Sequence, residues 1–430
     1  IQLNGGNDGL ASIIPRDQQD VLSQVRSNIL IPENVQIELT NTLALHPNMT
    51  GIKEIYDQGK LNIVQGVAYP NQNRSHFRSL DIWHTASRAN EFLDTGWLGR
   101  YFDSVFPGYP EAYPNSDCPD PFALTVGTVV SETCQGMGGN FSLAIVDPEN
   151  ISDLATPTNN DLADGCYGDQ LKFLINTIEQ TNAYGDSIEG AANRGNNLST
   201  KYKDDDALSV KLKTVTKLIS GGLRTKVYIV SIGGFDTHAN QVLEGEPTQG
   251  THASLLQSLS DAICAFQEDL ALLGLEERVI GMTYSEFGRR IRSNFSLGTD
   301  HGTAAPLMVF GSCVNPIVIG NNPIISPDVA QNEGVAMQYD FRSVYGSLLM
   351  DWFKVEENDV KNLLYEDFQH IPILKECETS TSVNELAEEF QFKVFPNPFN
   401  NYTRVEFTSG NEWVRISVFD VVGNEVKVAT

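Results

Sequence analysis

Short apolar, β-branched runs alternate along the chain with stretches of helical periodicity. Leu61 to Val67 (LNIVQGV) predicts a buried strand that ends in the polar loop Tyr69 to Ser75. Lys226 to Ile232 (KVYIVSI), Val279 to Tyr284 (VIGMTY) and Pro306 to Gly311 (PLMVFG) predict further strands. Ile1-Gln2-Leu3 is a short apolar start, broken at once by Asn4-Gly5-Gly6-Asn7-Asp8-Gly9. Between these runs, Leu255, Leu259, Ile263, Phe266, Leu270 and Leu273 recur at spacings of three and four, which marks one face of a helix. Lys203 to Ile219 and Arg342 to Phe353 also predict helices. Strands separated by helices imply βαβ units, hence an α/β core with a parallel sheet. In such sheets ligands bind beyond the carboxyl ends of the strands. The loops after Leu3, Val67, Ile232 and Tyr284 all carry polar, glycine-containing blocks, so one composite site is expected there.

Two segments break the alternation. The stretch 106–197 is rich in Pro, Gly, Asn and Asp, and predicts a long loop-rich insertion that shapes a cleft or is purely structural. It would sit inside a core spanning residues 1–376. After Cys377 the texture turns polar and acidic, a linker over 377–390. Residues 391–430 then show period-two runs (Arg404 to Thr408, Val414 to Phe419) with turn signals, a partial β-sandwich.

Composition narrows the partners. The 430 residues carry a formal charge of −26, which argues against nucleic acid and against an anionic membrane. No run of about twenty apolar residues occurs, so no transmembrane segment is expected. The chain opens at Ile1 without Met or a basic-then-apolar leader, as a mature or truncated chain would, so a signal peptide is neither visible nor excluded. The six cysteines contain no CxxC pair, which argues against a cysteine-based zinc or redox site. Cys118, Cys134 and Cys166 fall in the loop-rich stretch and are candidates for a disulfide outside the cell; Cys264 falls on the apolar side of a helix.

The candidate chemistry lies in two blocks, Gly233-Gly234-Phe235-Asp236-Thr237-His238 and Thr299-Asp300-His301-Gly302. Each sets a carboxylate and an imidazole within two residues in a glycine-containing loop. That combination suits a divalent metal: charge from the carboxylate, a directional nitrogen from the imidazole, and a tight turn from glycine. Two of the chain's seven histidines lie in these blocks.

The tail segments VFPNPFNN and VRISVFDVVGNEV resemble the C-terminal sorting domain of type IX secretion cargo. The resemblance implies that the type IX machinery is a partner, and that the protein is secreted or held at the cell surface of a Gram-negative bacterium. The blocks LNGGNDGL, YPNQNRSHFRSLDIWHTA, GWLGRY, GGFDTHANQ, YSEFGRRI and GTDHGTAAP resemble a secreted bacterial family of the alkaline phosphatase/sulfatase superfamily. That resemblance implies an alkaline-phosphatase-like parallel-sheet core flanked by helices. It also implies hydrolysis of a phosphate or sulfate ester, with a small ester or glycan as substrate. It further implies a pair of divalent ions, zinc or else calcium, magnesium or manganese. By order along the chain, Asp8 would be the first metal carboxylate and Ser75 the nucleophile, with Arg74 gripping substrate oxygens. Asp300 and His301 would complete the same ion's shell, and Asp236 and His238 would hold the other.

The pattern departs from the superfamily in two ways. The only histidine after His301 is His370, so the second ion is absent, weak, or completed by His76 or His370, and a one-metal or metal-free site is a further alternative. Neither Ser75-His76-Phe77-Arg78 nor Cys118-Pro119-Asp120-Pro121 has the Cys/Ser-x-Pro-x-Arg order of a formylglycine site, which argues against a conventional sulfatase. Structural alternatives exist for single residues. Ser75 suits a helix N-cap, Asp81 and His84 suit a local hydrogen bond, Glu286 suits an ion pair with the arginines after it, and His252 suits the surface. A non-catalytic surface scaffold that keeps the fold is the alternative for the whole protein.

Overall fold

Every residue of Leu61–Ala68 is buried, the mark of a strand covered on both faces. Its two side-chain amides donate outside the ladder: Asn62 Nδ2 to the Asn315 carbonyl (2.8 Å) and Gln65 Nε2 to Asn322 Oδ1 (3.2 Å). This strand is the axis of a computed structural model that describes residues 1–151 and 165–377 and four later strands. The chain divides into two compact units, Ile1–Glu376 and Cys377–Thr430.

On one side of Leu61–Ala68 runs Ala305–Phe310, antiparallel, followed by Gly281–Met282, again antiparallel. On the other side Val318–Ile319 and Tyr339–Asp340 pair with it in parallel. Backbone bonds from Leu3 N to Tyr284 O (2.7 Å) and from Tyr284 N to Ile1 O (3.0 Å) attach Gln2–Leu3 beyond Gly281–Met282. Gln2–Leu3 pairs in parallel with Ser231–Ile232. Just before that strand, Val227–Ile229 joins Ala123–Val126 and Ser142–Ile145, all in parallel.

The core is therefore mixed α/β rather than built on one parallel sheet. Gly281–Met282 and Ala305–Phe310 are joined by a loop with no crossover helix, and a chain that returns directly pairs antiparallel. The stretch 106–197 also differs from a loop excursion. It supplies two parallel strands and the helix Cys166–Arg194, whose polar-rich sequence hid its period. Among the later strands, Phe392–Phe395 pairs antiparallel with Arg404–Phe407, and Ile416–Phe419 with Glu425–Ala429. The linker stretch 378–390 lies outside the described residues. No helix among the described residues is long and apolar enough to cross a membrane.

Cys118, Cys134 and Cys166 are free, against expectation; the disulfide-bonded cysteines are Cys313 and Cys377. Cys134 is fully buried, in the cluster that holds Tyr101, Phe102, Phe122 and Phe141. Cys264 is buried on the helix Thr251–Leu272, whose apolar residues Leu259, Ile263, Phe266 and Leu270 face the core. The helix Thr50–Asp57 crosses that helix at Gly51, where an added Cβ would stand 2.6 Å from the Ser260 carbonyl. Gly51→Ala should therefore lower stability by about 1–3 kcal/mol, measured by denaturant unfolding, although alanine is the better helix former.

His252 is buried rather than on the surface, and its ring lies edge-on to that of buried His46 at 6.4 Å. Burial, helped by the charge of His252, pushes His46 down to about 3. Burial pushes His252 down to about 4; nearby Asp8 opposes this, and Arg289 and Arg26 reinforce it. Unfolded histidines titrate near pH 6.5, so below that pH the unfolded chain binds the extra protons. Stability is then full above about pH 6.5 and falls as the pH drops toward 4. Unfolding free energies at pH 7 and pH 4 should differ by on the order of a few kcal/mol. His46→Gln should flatten that slope.

Candidate metal centre

Arg289 is completely buried, and its guanidinium gathers the loops that build the site. Nε donates to the Gly6 carbonyl (2.7 Å) and Nη1 to Thr299 O (2.9 Å). Nη2 donates to Phe235 O (2.8 Å), to Asp236 Oδ1 (2.7 Å) and to the Gly5 carbonyl. Gly5 must be glycine here: its φ is +120°, and an added Cβ would lie 2.2 Å from Asp236 N. Thr299 N donates to Thr237 O (3.0 Å), which locks the two His–Asp blocks together.

The helix His76–Thr85 enters from another direction. Ser79 Oγ (2.5 Å) and Trp83 Nε1 (3.0 Å) both donate to the Glu286 carbonyl. His76 shares their helical face and so arrives beside Glu286.

Three imidazoles then converge on one carboxylate. His301 Nε2 lies 3.0 Å from Asp236 Oδ1, His238 Nε2 3.1 Å from the same oxygen, and His76 Nε2 3.5 Å from Oδ2. The two nitrogens of His238 and His301 are 2.9 Å apart. The opposite edge of each ring meets an oxygen. His301 Nδ1 is 2.8 Å from the Arg74 carbonyl, His238 Nδ1 2.9 Å from Asp300 Oδ1, and His76 Nδ1 2.7 Å from Glu286 Oε1. A carbonyl only accepts, so His301 carries its proton on Nδ1. Two carboxylates favour the same tautomer in the other rings. Each Nε2 lone pair is thereby turned toward Asp236, the arrangement by which outer partners orient metal-ligating histidines.

The donor set fits a cation. Ligands ~2.0–2.1 Å from a tetrahedral zinc are about 3.3 Å apart, close to the separations among His238, His301 and Asp236. The ligand atoms of His76, Asp236 and His301 all lie within 4.8 Å of one another. The field agrees. Burial pushes the Asp236 carboxyl up, but hydrogen bonds from Arg289 and His301 and the charges of Arg289 and His238 outweigh it and bring it down to about 2. Asp300 is also lowered: burial opposes, while His238, Arg290 and Asn294 prevail. Burial lowers His301 despite the Arg74 carbonyl and Asp236, so the ring stays neutral and able to ligate.

Of the residues expected from the sequence, Asp236, His238, Asp300 and His301 are brought together. Asp300 stands behind His238 rather than among the Nε2 atoms, and also holds Arg290 (3.0 Å). Asp8 is not part of the cluster. It is 1% exposed, paired with Arg26 (3.0 Å), and accepts from Gln241 Nε2 (2.6 Å). Ser75 is the N-cap residue of its helix, but its side chain makes no capping bond. Arg74 turns its guanidinium to the Asn332 carbonyl (2.7 Å), while its own carbonyl holds His301. Glu286 does not pair with an arginine; it accepts from His76 and from Gly5 N (2.8 Å). His84 faces Glu132 (3.4 Å), and Asp81 pairs with Arg78 instead. His370 pairs with Asp351 (3.0 Å), apart from the centre. The sequence signal for His76 was its place at the first turn after the Asn73-Arg74-Ser75 loop; the signal for Glu286 was its place at the end of a strand.

Residues 214–360 match a family described as Protein of unknown function (DUF1501). Residues 393–430 match the Secretion system C-terminal sorting domain. The chain carries a type IX secretion sorting domain. That address makes the protein a secreted or cell-surface cargo of the type IX machinery. The first match contains Asp236, His238, Glu286, Arg289, Asp300 and His301. No curated protein matches the chain.

Glu286→Ala and Asp300→Ala should each weaken zinc binding by about 10–100-fold, read by competition with a chromophoric chelator, because each frees one ring from its orienting oxygen. Asp8→Ala removes no ligand and should chiefly lower stability, by about 3–5 kcal/mol, since it strands buried Arg26.

Proposed function

We propose that this protein is a secreted, metal-dependent hydrolase of phosphate or sulfate esters, with an alkaline-phosphatase-like core and a C-terminal sorting sandwich. One observation carries the reading: three histidines with oxygen-held Nδ1 atoms aim their Nε2 atoms at Asp236. His76, Asp236, His238 and His301 would hold a divalent ion, zinc by donor type. When bound, it would supply Lewis-acid polarisation of an ester oxygen and a lowered pKa for a contacting hydroxyl.

The surrounding residues suit an anionic ester. Ser75 lies between Arg74, whose carbonyl fixes His301, and His76 itself, so its hydroxyl is the nucleophile we assign. It opens a ten-residue helix, whose first-turn N–H groups and positive dipole end favour an anion. Arg74 and Arg290 stand close enough that the charge of Arg290, after burial, lowers Arg74. Arg290 Nε is buried without a hydrogen-bond partner. A phosphate or sulfate between the two guanidiniums would relieve both conditions. Asp236 and His238 have side chains 46% and 44% exposed, so the centre is open to a substrate from solvent.

A second reading has its own support. Four protein donors would fill a tetrahedral ion, the habit of structural zinc sites, and a surface scaffold would then hold the ion without turnover.

The full chain loaded with zinc should hydrolyse an aryl phosphate or an aryl sulfate. Chelation should remove the activity and added zinc restore it. Ser75→Ala should reduce kcat by at least about a thousandfold while the bound zinc stays, as loss of a nucleophile requires. A protein that binds zinc and turns over neither ester would overturn the hydrolase reading in favour of the scaffold.

A further inference from the structure

A cavity of about 630 Å³ opens between the amino-terminal halves of the helices Ala207–Ser220 and Thr251–Leu272. Its floor is the end of the strand Ser231–Ile232 and Gly233. Gly233 is three residues from Asp236, a reach of at most about 11 Å between their Cα atoms. We infer that this cavity is the subsite for the alcohol half of the ester, and that this half is a neutral, polyhydroxylated group, a sugar. The inference rests on the hydrolase reading for the word ester, but the cavity's own chemistry sets what it takes.

An ester offers two ends. The anionic end is the poorer match: the cavity lies at the first turns of two helices, but Asp206 Oδ1 already caps one of them by accepting from Ser209 N (2.8 Å), Asp205 adds a second carboxylate, and the one lysine is committed, Lys211 Nζ donating to the Ser231 carbonyl (2.7 Å). A second phosphate or a carboxylate would meet like charge there. The alcohol end does find partners. Thr251, Ser254 and Ser258 repeat at intervals of three and four on one helix face and line the cavity; Ser254 Oγ donates to the Gly250 carbonyl (3.1 Å) and keeps its lone pairs to accept with. Asp205, exposed, lines the same cavity and supplies a carboxylate that can accept from paired hydroxyls. Leu255 is on the same helix face, and Gly234 lies against it, where an added Cβ would stand 3.4 Å away. That gives a small apolar strip next to hydroxyls and carboxylates. A sugar ring has the matching surfaces, an apolar C–H face and an equatorial rim of hydroxyls. A hydrocarbon alcohol would cover these donors and acceptors without replacing their bonds to water.

The test uses the full chain with zinc and two kinds of probe. Methyl hexopyranosides, which carry no phosphate or sulfate, should bind in a calorimetric or saturation-transfer NMR titration. Ser258→Trp, which narrows the cavity at its helix wall, should weaken that binding by about tenfold or more, and Asp205→Ala, at an exposed position that leaves folding intact, should weaken it as well. In turnover, a hexose phosphate should show a KM about tenfold below that of butyl phosphate, and Ser258→Trp should erase the difference. No glycoside binding, or binding that both variants leave unchanged, overturns the subsite. The two proposals fail separately. Glycoside binding without ester turnover sinks the hydrolase and keeps the sugar site, whereas aryl phosphate turnover without glycoside binding does the reverse.

Discussion

The site depends on the burial of one charge. Arg289 has no exposed surface, and an unpaired guanidinium there would cost several kcal/mol. It is held by four backbone carbonyls and one carboxylate oxygen. Those carbonyls belong to three loops remote in sequence: Gly5 and Gly6, Phe235, and Thr299. Moving any of the loops would strand a donor in the interior, so the loops are fixed to one another before any ion arrives. Asp236 closes the set. Its Oδ1 takes the guanidinium and still meets two imidazole nitrogens, which makes the arginine both the support of the centre and a competitor for its carboxylate.

A second buried pair works one layer further in. Asp8 neutralises Arg26, and through Gln241 it also orders the His–Asp blocks. Gln241 gives its amide hydrogen to Asp8 and accepts from Thr237 Oγ (3.1 Å) and Thr299 Oγ (2.7 Å). The Gly-Gly-Asn-Asp-Gly turn therefore lies at the site without offering its carboxylate to the Nε2 cluster. Its glycines let backbone reach Arg289, and its acid holds the frame.

What the sequence disclosed and what it hid follow from the same physics. Local composition marked Asp236, His238, Asp300 and His301, because carboxylate, imidazole and glycine in one short loop is an unusual local choice. The roles of these residues depended on distances across the fold. Nothing local says that Asp300 meets Nδ1 of His238 and not a shared ion, or that Glu286 prefers His76 and Gly5 N to the arginines that follow it. The helix Thr251–Leu272 was legible because its apolar period is strong. Cys166–Arg194 was hidden, since it is rich in polar residues along its whole length. The direction of Ala305–Phe310 could not be read either. A strand's apolar pattern is the same in a parallel or an antiparallel ladder, and only the connection decides.

The net charge of −26 would seem to oppose an anionic substrate. Distance resolves the conflict. At physiological salt the screening length is about 8 Å, so carboxylates spread over the surface contribute little to the potential at the centre. The field there is set by groups within a few ångströms, Arg74, Arg289 and Arg290 against Asp236, Asp300 and Glu286, together with any cation the cluster holds. The acidic surface then has a separate consequence. It repels other acidic surfaces and disfavours nonspecific adhesion to anionic polymers, which suits a secreted or cell-surface cargo. In the cavity between the two helices the same logic runs in reverse. An anion in a cavity lined by Asp205 and Asp206 would meet their like charge at short range, which disfavours it relative to a neutral hydroxylated group.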